Sequence, residues 1–340
     1  MTAGTKRLRV LGWGALLVLA LLVPFMFGEF RVGQLTQVLA FAIAVLGLNL
    51  LVGYSGQISL GHGAFFAVGA YTAAILIQDH GWPHLLAVPV AGAAAGLAGF
   101  LFGVPALRVR GLYLALLTLG LAVATPPIIK RLDGLTGGSQ GINVKPPEPP
   151  SSLGLASDQW VYLLALAIAI PLFVMVANLL RTRVGRALIT LRDNEIAAKS
   201  MGVNIAQYKT GAFAMSAAFA GVGGAVYVFT VGFVSPESFT LVLSISFLAA
   251  VVVGGLATVF GAVLGALFIV LVPDYAADVD DAFAGVIYGA VLILMMYLER
   301  GGLVGLARRV WRRVERRRPP LDRTEQVEER SETRRQHAAL

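Results

Sequence analysis

Residues 47–71 read GLNLLVGYSGQISLGHGAFFAVGAY, and this stretch shows how the chain is built. Apolar runs flank it on both sides, but residues 53–63 hold four glycines, two serines, a glutamine, a tyrosine and a histidine without any charge. At membrane depth, such a segment is tolerated only where it is buried in protein or lines a cavity. We therefore interpret it as a functional break between two membrane helices, against the alternative of a tight turn at the membrane surface.

The composition of the whole chain agrees with a membrane environment. Of its 340 residues 57% are hydrophobic and 14% charged, and the mean hydropathy is +0.77. Soluble globular proteins carry about 25% charged residues. These values exclude a cytosolic enzyme, a disordered protein and a collagen-like chain. The absence of cysteine excludes disulfides, CxxC redox chemistry and thiolate metal sites.

Ten apolar stretches approach the roughly 20 residues that a membrane-spanning helix needs. They are residues 10–27, 34–52, 62–79, 85–104, 111–129, 159–180, 210–232, 241–256, 259–273 and 282–298. The sequence thus predicts an all-α polytopic membrane protein with eight to ten transmembrane helices and a candidate re-entrant segment. The first stretch is predicted to be a retained helix and not a signal peptide. Region 241–273 is predicted to pass twice, with a break near Gly254, although a single pass stays open.

The basic residues predict the topology. With the N-terminus inside, all but four of the 27 lysines and arginines fall on the inner side. Both termini are therefore expected in the cytoplasm, and the positive charge needs no nucleic acid. The transmembrane domain is predicted at 1–298, with an extracytoplasmic loop at 130–158 and a cytoplasmic loop at 181–209. Residues 299–340 are predicted to form a basic, disordered cytoplasmic tail next to membrane lipid.

Few features of the sequence suggest enzyme chemistry. Every charged residue falls at the end of a predicted span or in a loop, which argues against a proton- or sodium-coupled transporter. No Gly-Lys dipeptide occurs, so the chain has no phosphate-binding loop for ATP. A cluster of Asp274, Asp278, Asp280 and Asp281 is interpreted as a solvated outer loop and not as a cation site or an enzyme centre. We expect no catalytic residue, no metal and no cofactor in this chain.

The inner loop predicts a helix from Arg183 to Met201, ended by Gly202 as its C-terminal cap. The helix carries an apolar stripe of Val184, Ala187, Leu188 and Leu191, followed by a polar cluster of Arg192, Asp193, Asn194 and Glu195. The pattern suits either a helix that docks in the groove of a soluble partner or one that lies on lipid headgroups.

Glycines recur at helix-packing spacing in four pairs. These are Gly92/Gly96, Gly99/Gly103, Gly261/Gly265 and Gly285/Gly289. Such small-xxx-small ridges let helices approach closely, either within this chain or against a partner subunit.

Five segments together resemble the branched-chain amino acid ABC transporter permeases, in particular their LivM-type membrane subunits. They are the opening stretch, RGLYLALLTLG (110–120), LTGGSQGI (135–142), RALITLRDNEIAAKSMGVNIAQYK (186–209) and GGLATVFGAVLGA (254–266). The resemblance runs in order from about residue 34 to 298, and the arginine-rich tail lies outside it.

The resemblance implies a permease subunit without ATPase activity in the plasma (inner) membrane. Its expected partners are a second, related permease, two cytoplasmic ATPases that bind ATP, and an extracytoplasmic solute-binding protein. It implies an ATPase-coupling site, because residues 197–202 keep the AA-x3-G spacing of the family's cytoplasmic loop; Ile196, however, replaces the usual Glu, which moves to position 195. The candidate coupling residues are Arg192, Asp193, Asn194, Glu195, Ala197, Ala198 and Gly202.

Two further sets of candidate residues follow. Tyr54, Ser55, Gln57, Ser59 and His62 are the candidate residues of the substrate pathway, since their neutral donors and acceptors suit a zwitterion or an amide. Thr136, Gly137, Gly138, Ser139 and Gln140 are the candidates for docking the binding protein. Two alternatives stay open: a related ABC permease for urea or short amides, and an ATP-independent channel or facilitator for a small neutral solute.

Overall fold

A computed structural model describes residues 18–106, 111–152, 154–280, 283–298, 301–306 and 309. Residues 18–26 are helical and form α1. The helices that follow are α2 (Glu29–Asn49), α3 (His62–Gln78), α4 (His84–Ala106), α5 (Leu112–Arg131), α6 (Asp133–Thr136), α7 (Ser157–Leu179), α8 (Arg183–Asp193), α9 (Glu195–Ser200), α10 (Ile205–Val231), α11 (Leu241–Gly254), α12 (Val259–Val279) and α13 (Ala284–Leu298). A π-helical turn, Leu50–Tyr54, extends α2, and a 3₁₀ turn, Pro236–Phe239, precedes α11. Two short strands, β1 (Ile142–Asn143) and β2 (Phe233–Val234), complete the described elements.

The predicted polytopic all-α membrane fold is confirmed. Six of the described helices are long and apolar enough to cross a membrane: α2 with its π-helical turn, α4, α5, α7, α10 and α12. The shorter apolar helices α3, α11 and α13 accompany them. Each predicted apolar stretch coincides with a helix where the structure describes it. The first does so over residues 18–26, where the Tyr162 hydroxyl of α7 donates to the Ala20 carbonyl at 3.1 Å.

Helix α10 lies at the centre of the bundle and contacts α2, α3 and α4. Glycine makes these contacts close. A Cβ on Gly223 would lie 2.6 Å from the Ala40 carbonyl oxygen of α2, and one on Gly92 would lie 2.8 Å from the Val222 side chain. Both predicted glycine pairs of α4 contact α10, so their packing is within the chain. By contrast, a Cβ on Gly285 or Gly289 of α13 would meet no described heavy atom within 4 Å.

The β1–β2 pairing defines one end of the bundle, which we call the sheet end. The strands are antiparallel, with Ile142 opposite Val234. Two further bonds fasten this end: Gln34 of α2 donates to Asp274 of α12 at 2.7 Å, and Lys130 pairs with Glu237 at 2.8 Å. The hydrogen bond from Lys130 lowers the pKa of the Glu237 carboxyl below its ordinary value. Because Asp274 accepts from Gln34, it joins α12 to α2.

Region 241–273 forms two antiparallel helices, as predicted, and the break falls at Gly254 and Gly255. The glycines of α12 face α11: a Cβ on Gly261 would meet the carbonyl oxygens of Gly255 and Gly254 at 2.7 and 2.9 Å. With 14 residues, α11 reaches only about 21 Å at 1.5 Å per residue, less than the roughly 30 Å of hydrocarbon. It starts inside the bundle, where Ser244 contacts Gly63 of α3.

Two predictions need correction. The inner loop is not one helix from Arg183 to Met201 but two, because Asn194 adopts an extended backbone with φ −159° and ψ 106° between α8 and α9. The predicted disordered tail begins with a helical segment, 302–306, and Val304 is buried. The remainder of the tail, apart from 301 and 309, lies outside the described residues, as does Asp281 of the aspartate cluster.

Candidate transport and coupling site

The break between α2 and α3 folds back beside the last turns of α2. After the π-helical turn, the Ser55 hydroxyl donates to the Leu51 carbonyl at 2.7 Å and Gly56 takes a positive φ of 71°. The chain then reverses, so that His62 Nε2 donates to the Ala44 carbonyl of α2 at 2.9 Å. A carbonyl can only accept, and this contact therefore fixes the Nε2–H tautomer.

Side chains from other helices satisfy the backbone groups that this break leaves without helical partners. Thr118 of α5 accepts from the Leu60 amide at 2.9 Å, and Ser244 of α11 accepts from the Gly63 amide at 3.0 Å. The Gln57 side-chain amide donates to Ser55 at 2.9 Å and to the Lys209 carbonyl at 3.2 Å. Buried backbone groups need such partners, so the neutral polar residues are what permits the break.

The structure brings the five predicted pathway residues together and places four of them inside the protein. Ser55, Gln57, Ser59 and His62 are all buried, while Tyr54 is half-buried. Ile58 is the exposed apolar side chain of the segment, at 44%. Their hydrogen bonds show that Ser55, Gln57 and His62 hold the backbone of the break in place. A role in contacting substrate stays a prediction.

Asn49 joins the break to the turn between α11 and α12. Its Oδ1 accepts from the Ala257 amide at 2.9 Å, and its Nδ2 donates to the Thr258 carbonyl at 2.7 Å. Ala257 holds a positive φ of 56°, which a residue with a side chain rarely adopts. Because Asn49 is buried, this two-point contact fixes a strained turn against the end of α2.

Arg192, at the end of α8, reaches the same place from the predicted coupling loop. Its Nη1 donates to the Gly53 carbonyl at 2.8 Å, and its Nε and Nη2 contact Asp193 Oδ1 at 2.9 and 2.8 Å. A Cβ on Gly56 would lie 3.0 Å from Arg192 Cγ, so the aliphatic stem packs on that glycine. The predicted polar cluster therefore faces the glycine-rich break directly.

The rest of the cluster shapes the loop itself. Asn194 Oδ1 accepts from the amides of Ile196 and Ala197 at 2.9 and 3.0 Å and caps α9. Glu195 forms an ion pair with Lys209 at the start of α10. Gly202, with φ 80°, ends α9 as predicted, since the following Val203 amide donates back to the Ala198 carbonyl at 3.1 Å.

The apolar stripe of α8 packs within the chain. Ala187, Leu188 and Leu191 are buried, whereas Val184 is exposed and Gly185 takes its place on the buried face. Most of the stripe therefore packs against the bundle. Whether the loop docks on a soluble partner stays a prediction. The most exposed apolar side chains of the loop are instead Ile196 and Met201, at 81% and 77%. Ile196 also lines a cavity of about 720 Å³, together with other residues of α9, the 202–204 turn and the start of α10.

The predicted docking residues of the outer loop lie at the sheet end and divide into two groups. Thr136 is buried, and its hydroxyl donates to the Ile129 carbonyl at 2.7 Å, while Gly138 is buried and Gly137 half-buried. Ser139 and Gln140 are exposed. The first three therefore give the loop its shape, and the last two present polar groups to the outside.

The sequence interpretation missed Asn49, Thr118 and Ser244, each of which anchors a break. A signal was available, since Asn49 and Thr118 are single polar residues in apolar stretches and Ser244 lies with Ser246 in another. Polar residues in membrane helices usually find a partner on another helix. In the described part of the chain no three His, Asp or Glu side chains converge on a possible metal position.

The fold and this site define a multi-pass membrane protein in which two broken helical segments meet a projecting loop of two short helices. The chain belongs to the family of permease components of branched-chain amino acid transport systems, whose model matches residues 30–296. It is 37% identical over 319 residues to the high-affinity branched-chain amino acid transport system permease protein LivM of Escherichia coli K12, covering 86% of this chain and 74% of that protein.

Two further relatives support the assignment. LivM of Salmonella typhimurium is 36% identical over 319 residues, again 86% of this chain and 74% of the relative. A protein described as the probable permease LivH of Methanocaldococcus jannaschii is 27% identical over 273 residues, 75% of this chain and 84% of the relative. No solved structure matches the chain.

Proposed function

We propose that this chain is one of two permease subunits of an ABC importer for branched-chain or chemically related amino acids, with ATP hydrolysed on two separate cytoplasmic subunits. Membership of the permease family supports the transport role and the substrate class. The exposed surface of α9 carries the proposal of ATP coupling, because it holds the loop's most exposed apolar side chains, Ile196 and the adjoining Met201.

Ile196 and Met201 form the centre of the proposed ATPase contact. Both are more than three quarters exposed on a loop that projects from the bundle. Large apolar side chains exposed in this way are typical of surfaces that a partner covers. Ala197 is exposed beside Ile196, Ala198 lies on the buried face of α9, and the positive φ of Gly202 ends the helix. The AA-x3-G spacing thus shapes a short helix whose outer face is free for a soluble groove.

The remaining partners follow from the two ends of the bundle. The excess of basic residues supports a cytoplasmic position for the α8–α9 loop and for both termini. The sheet end then faces outward, where Ser139 and Gln140 are available to a solute-binding protein. A second permease of the LivH kind would complete the pathway, in line with the similarity of this chain to a relative of that name.

The proposed pathway runs beside the break between α2 and α3. Tyr54 and Ile58 are the partly exposed side chains of this pathway. Behind them, the non-helical backbone of the break is held by hydrogen bonds of the buried Ser55, Gln57, Ser59 and His62. The segment carries no charge, so it presents neutral dipoles to a zwitterionic solute.

Affinity purification of the tagged chain in mild detergent tests this proposal. Recovery of two ATPases and a second permease, with ATP-dependent uptake of leucine by the reconstituted complex, is the expected result. Ile196→Glu should lower the recovery of the ATPases, and Leu135→Glu, which places the same change on an exposed residue at the sheet end, should not. A chain that purifies alone and conducts a small neutral solute in liposomes without ATP would favour the facilitator instead.

A further inference from the structure

The α8–α9 loop, the break after α2 and the turn between α11 and α12 meet at one place. Three side chains make the connections: Arg192 to Gly53, Asn49 to the α11–α12 turn, and Gln57 to Lys209. We call these three residues, Asn49, Gln57 and Arg192, the polar junction. Each member bonds a backbone group of an element far from it in sequence, so the junction ties together parts that the chain order separates.

Arg192 is held at both ends of its guanidinium group. Asp193 orients it through the Nε and Nη2 nitrogens, which leaves Nη1 directed at the Gly53 carbonyl. That carbonyl belongs to the π-helical turn at the C-terminal end of α2, where the helix dipole favours a cation. The arginine is therefore placed by charge as well as by hydrogen-bond geometry.

Gly53 also lies against the turn between α11 and α12. A Cβ on Gly53 would lie 2.5 Å from the Ala257 amide nitrogen and closer still to Asn49 Oδ1. The backbone of the α2 end therefore lies directly on the α11–α12 turn, and Asn49 bonds that turn at Ala257 and Thr258. A displacement of Gly53 therefore reaches the turn in two ways, through the close backbone approach to Ala257 and through the Asn49 side chain that lies beside both.

A second connection runs through Gln57. Its side-chain amide donates to the Lys209 carbonyl, and the Lys209 ammonium pairs with Glu195 at the start of α9. The loop is thus joined to the break once from the end of α8 and once from α9 by way of α10. Two attachment points resist rotation of the loop relative to the break, which one point would allow.

We propose that Arg192 and Asn49 are positioning residues that make the α8–α9 loop, the α2 break and the α11–α12 turn move as one unit during transport. The inference rests on the proposed function, since a partner ATPase has to move the loop. Packed interfaces switch between discrete arrangements and do not deform continuously. A rigid junction therefore turns a shift of the loop into a rearrangement of both breaks at the pathway.

The variant test uses the complete reconstituted transporter. Arg192→Met removes the bond to Gly53 and keeps an apolar stem on Gly56. The matched control is Arg186→Met, which removes the same charge from the same helix, but whose bond at 3.1 Å goes only to the neighbouring Arg181 carbonyl. We expect Arg192→Met to assemble and hydrolyse ATP, while leucine transported per ATP falls about tenfold, the loss typical of a hydrogen bond to a charged group. Arg186→Met should keep the wild-type ratio.

Equal transport-to-ATP ratios in the two variants would overturn the inference and leave the importer itself intact. A wild-type complex without ATPases would instead contradict the proposed function, so the two failures are distinguishable.

Hydrogen exchange on the wild-type complex decides the question even if Arg192→Met fails to assemble. Trapping the ATPases with ATP and vanadate should change amide exchange in residues 183–204, 49–61 and 253–258 together. A change confined to 183–204 would show that the loop moves independently and would refute the junction.

Discussion

Substitution of Gly53 by alanine should weaken the structure far more than the single methyl group suggests. The added Cβ would lie 2.5 Å from the Ala257 amide nitrogen, whereas ordinary contacts of this kind are 3.4–4 Å. The two backbones must separate by roughly 1 Å to restore ordinary van der Waals contact. Such a shift breaks the bonds of Asn49 to Ala257 and Thr258, which are 2.9 and 2.7 Å long.

The expected loss of stability follows from these contacts. Forcing an extra group into a packed site costs about 1–3 kcal/mol. Each lost hydrogen bond removes about 0.5–1.5 kcal/mol, and more where a buried partner is left unsatisfied. Alanine regains up to about 1 kcal/mol, because it favours helical backbone over glycine. The net destabilisation of Gly53→Ala should therefore be about 2–4 kcal/mol.

The matched control is Gly211→Ala in α10, where a Cβ would meet no heavy atom within 4 Å. Thermal unfolding of the purified chain in detergent, followed by intrinsic tryptophan fluorescence, compares the two. Gly53→Ala should lower the midpoint clearly, and Gly211→Ala should keep or raise it. Equal midpoints for both variants and the wild type would refute the close approach of the two breaks.

Three further predictions concern the loops. Gly202→Val should leave the chain in the membrane but reduce co-purified ATPase and uptake, because its φ of 80° strains any side chain; normal uptake would contradict the role of α9. The lowered pKa of Glu237 means that its pairing with Lys130 stabilises the sheet end above the ordinary carboxyl pKa, and this stabilisation is lost as the pH falls through the lowered pKa. Glu237→Gln should therefore flatten the fall of the unfolding midpoint on acidification below the ordinary carboxyl pKa, and identical pH curves for the two proteins would contradict this. Since the chain has no cysteine, Ser139→Cys should react with an impermeant maleimide added to whole cells and Met201→Cys should not, with the opposite pattern reversing the topology.

The sequence predicts the helices well because membrane spans depend on composition over many residues. An apolar stretch long enough to cross lipid must bond its own backbone, which leaves the helix as the expected solution. The break at 53–61 is likewise visible in the sequence, because glycines and neutral polar residues stand between apolar runs. Gly202 was identifiable as a helix end for the same local reason.

Contacts between distant elements could not be predicted in this way. Asp193 and Asn194 are weak helix formers and asparagine is a favoured N-cap, but such a pair also occurs within single helices, so the sequence does not show that Asn194 divides the loop. The apolar stripe of α8 looks the same whether it covers a partner, lipid or its own bundle, and only the packing against α10 and the π-helical turn decides. The hydrogen bond of Arg192 could not be predicted either, because its acceptor is the Gly53 carbonyl, 139 residues away in the chain.

The way the break is held explains why it suits a moving part. A continuous helix keeps its backbone bonds within itself, so bending it disrupts a cooperative series of bonds. At this break, Thr118, Ser244, Arg192 and Gln57 supply single bonds from or to α5, α11, α8 and α10. Each neutral bond contributes only about 1 kcal/mol. The break can therefore exchange its bonds to Thr118 and Ser244 one at a time, while Arg192 and Gln57 keep it attached to the α8–α9 loop and to α10.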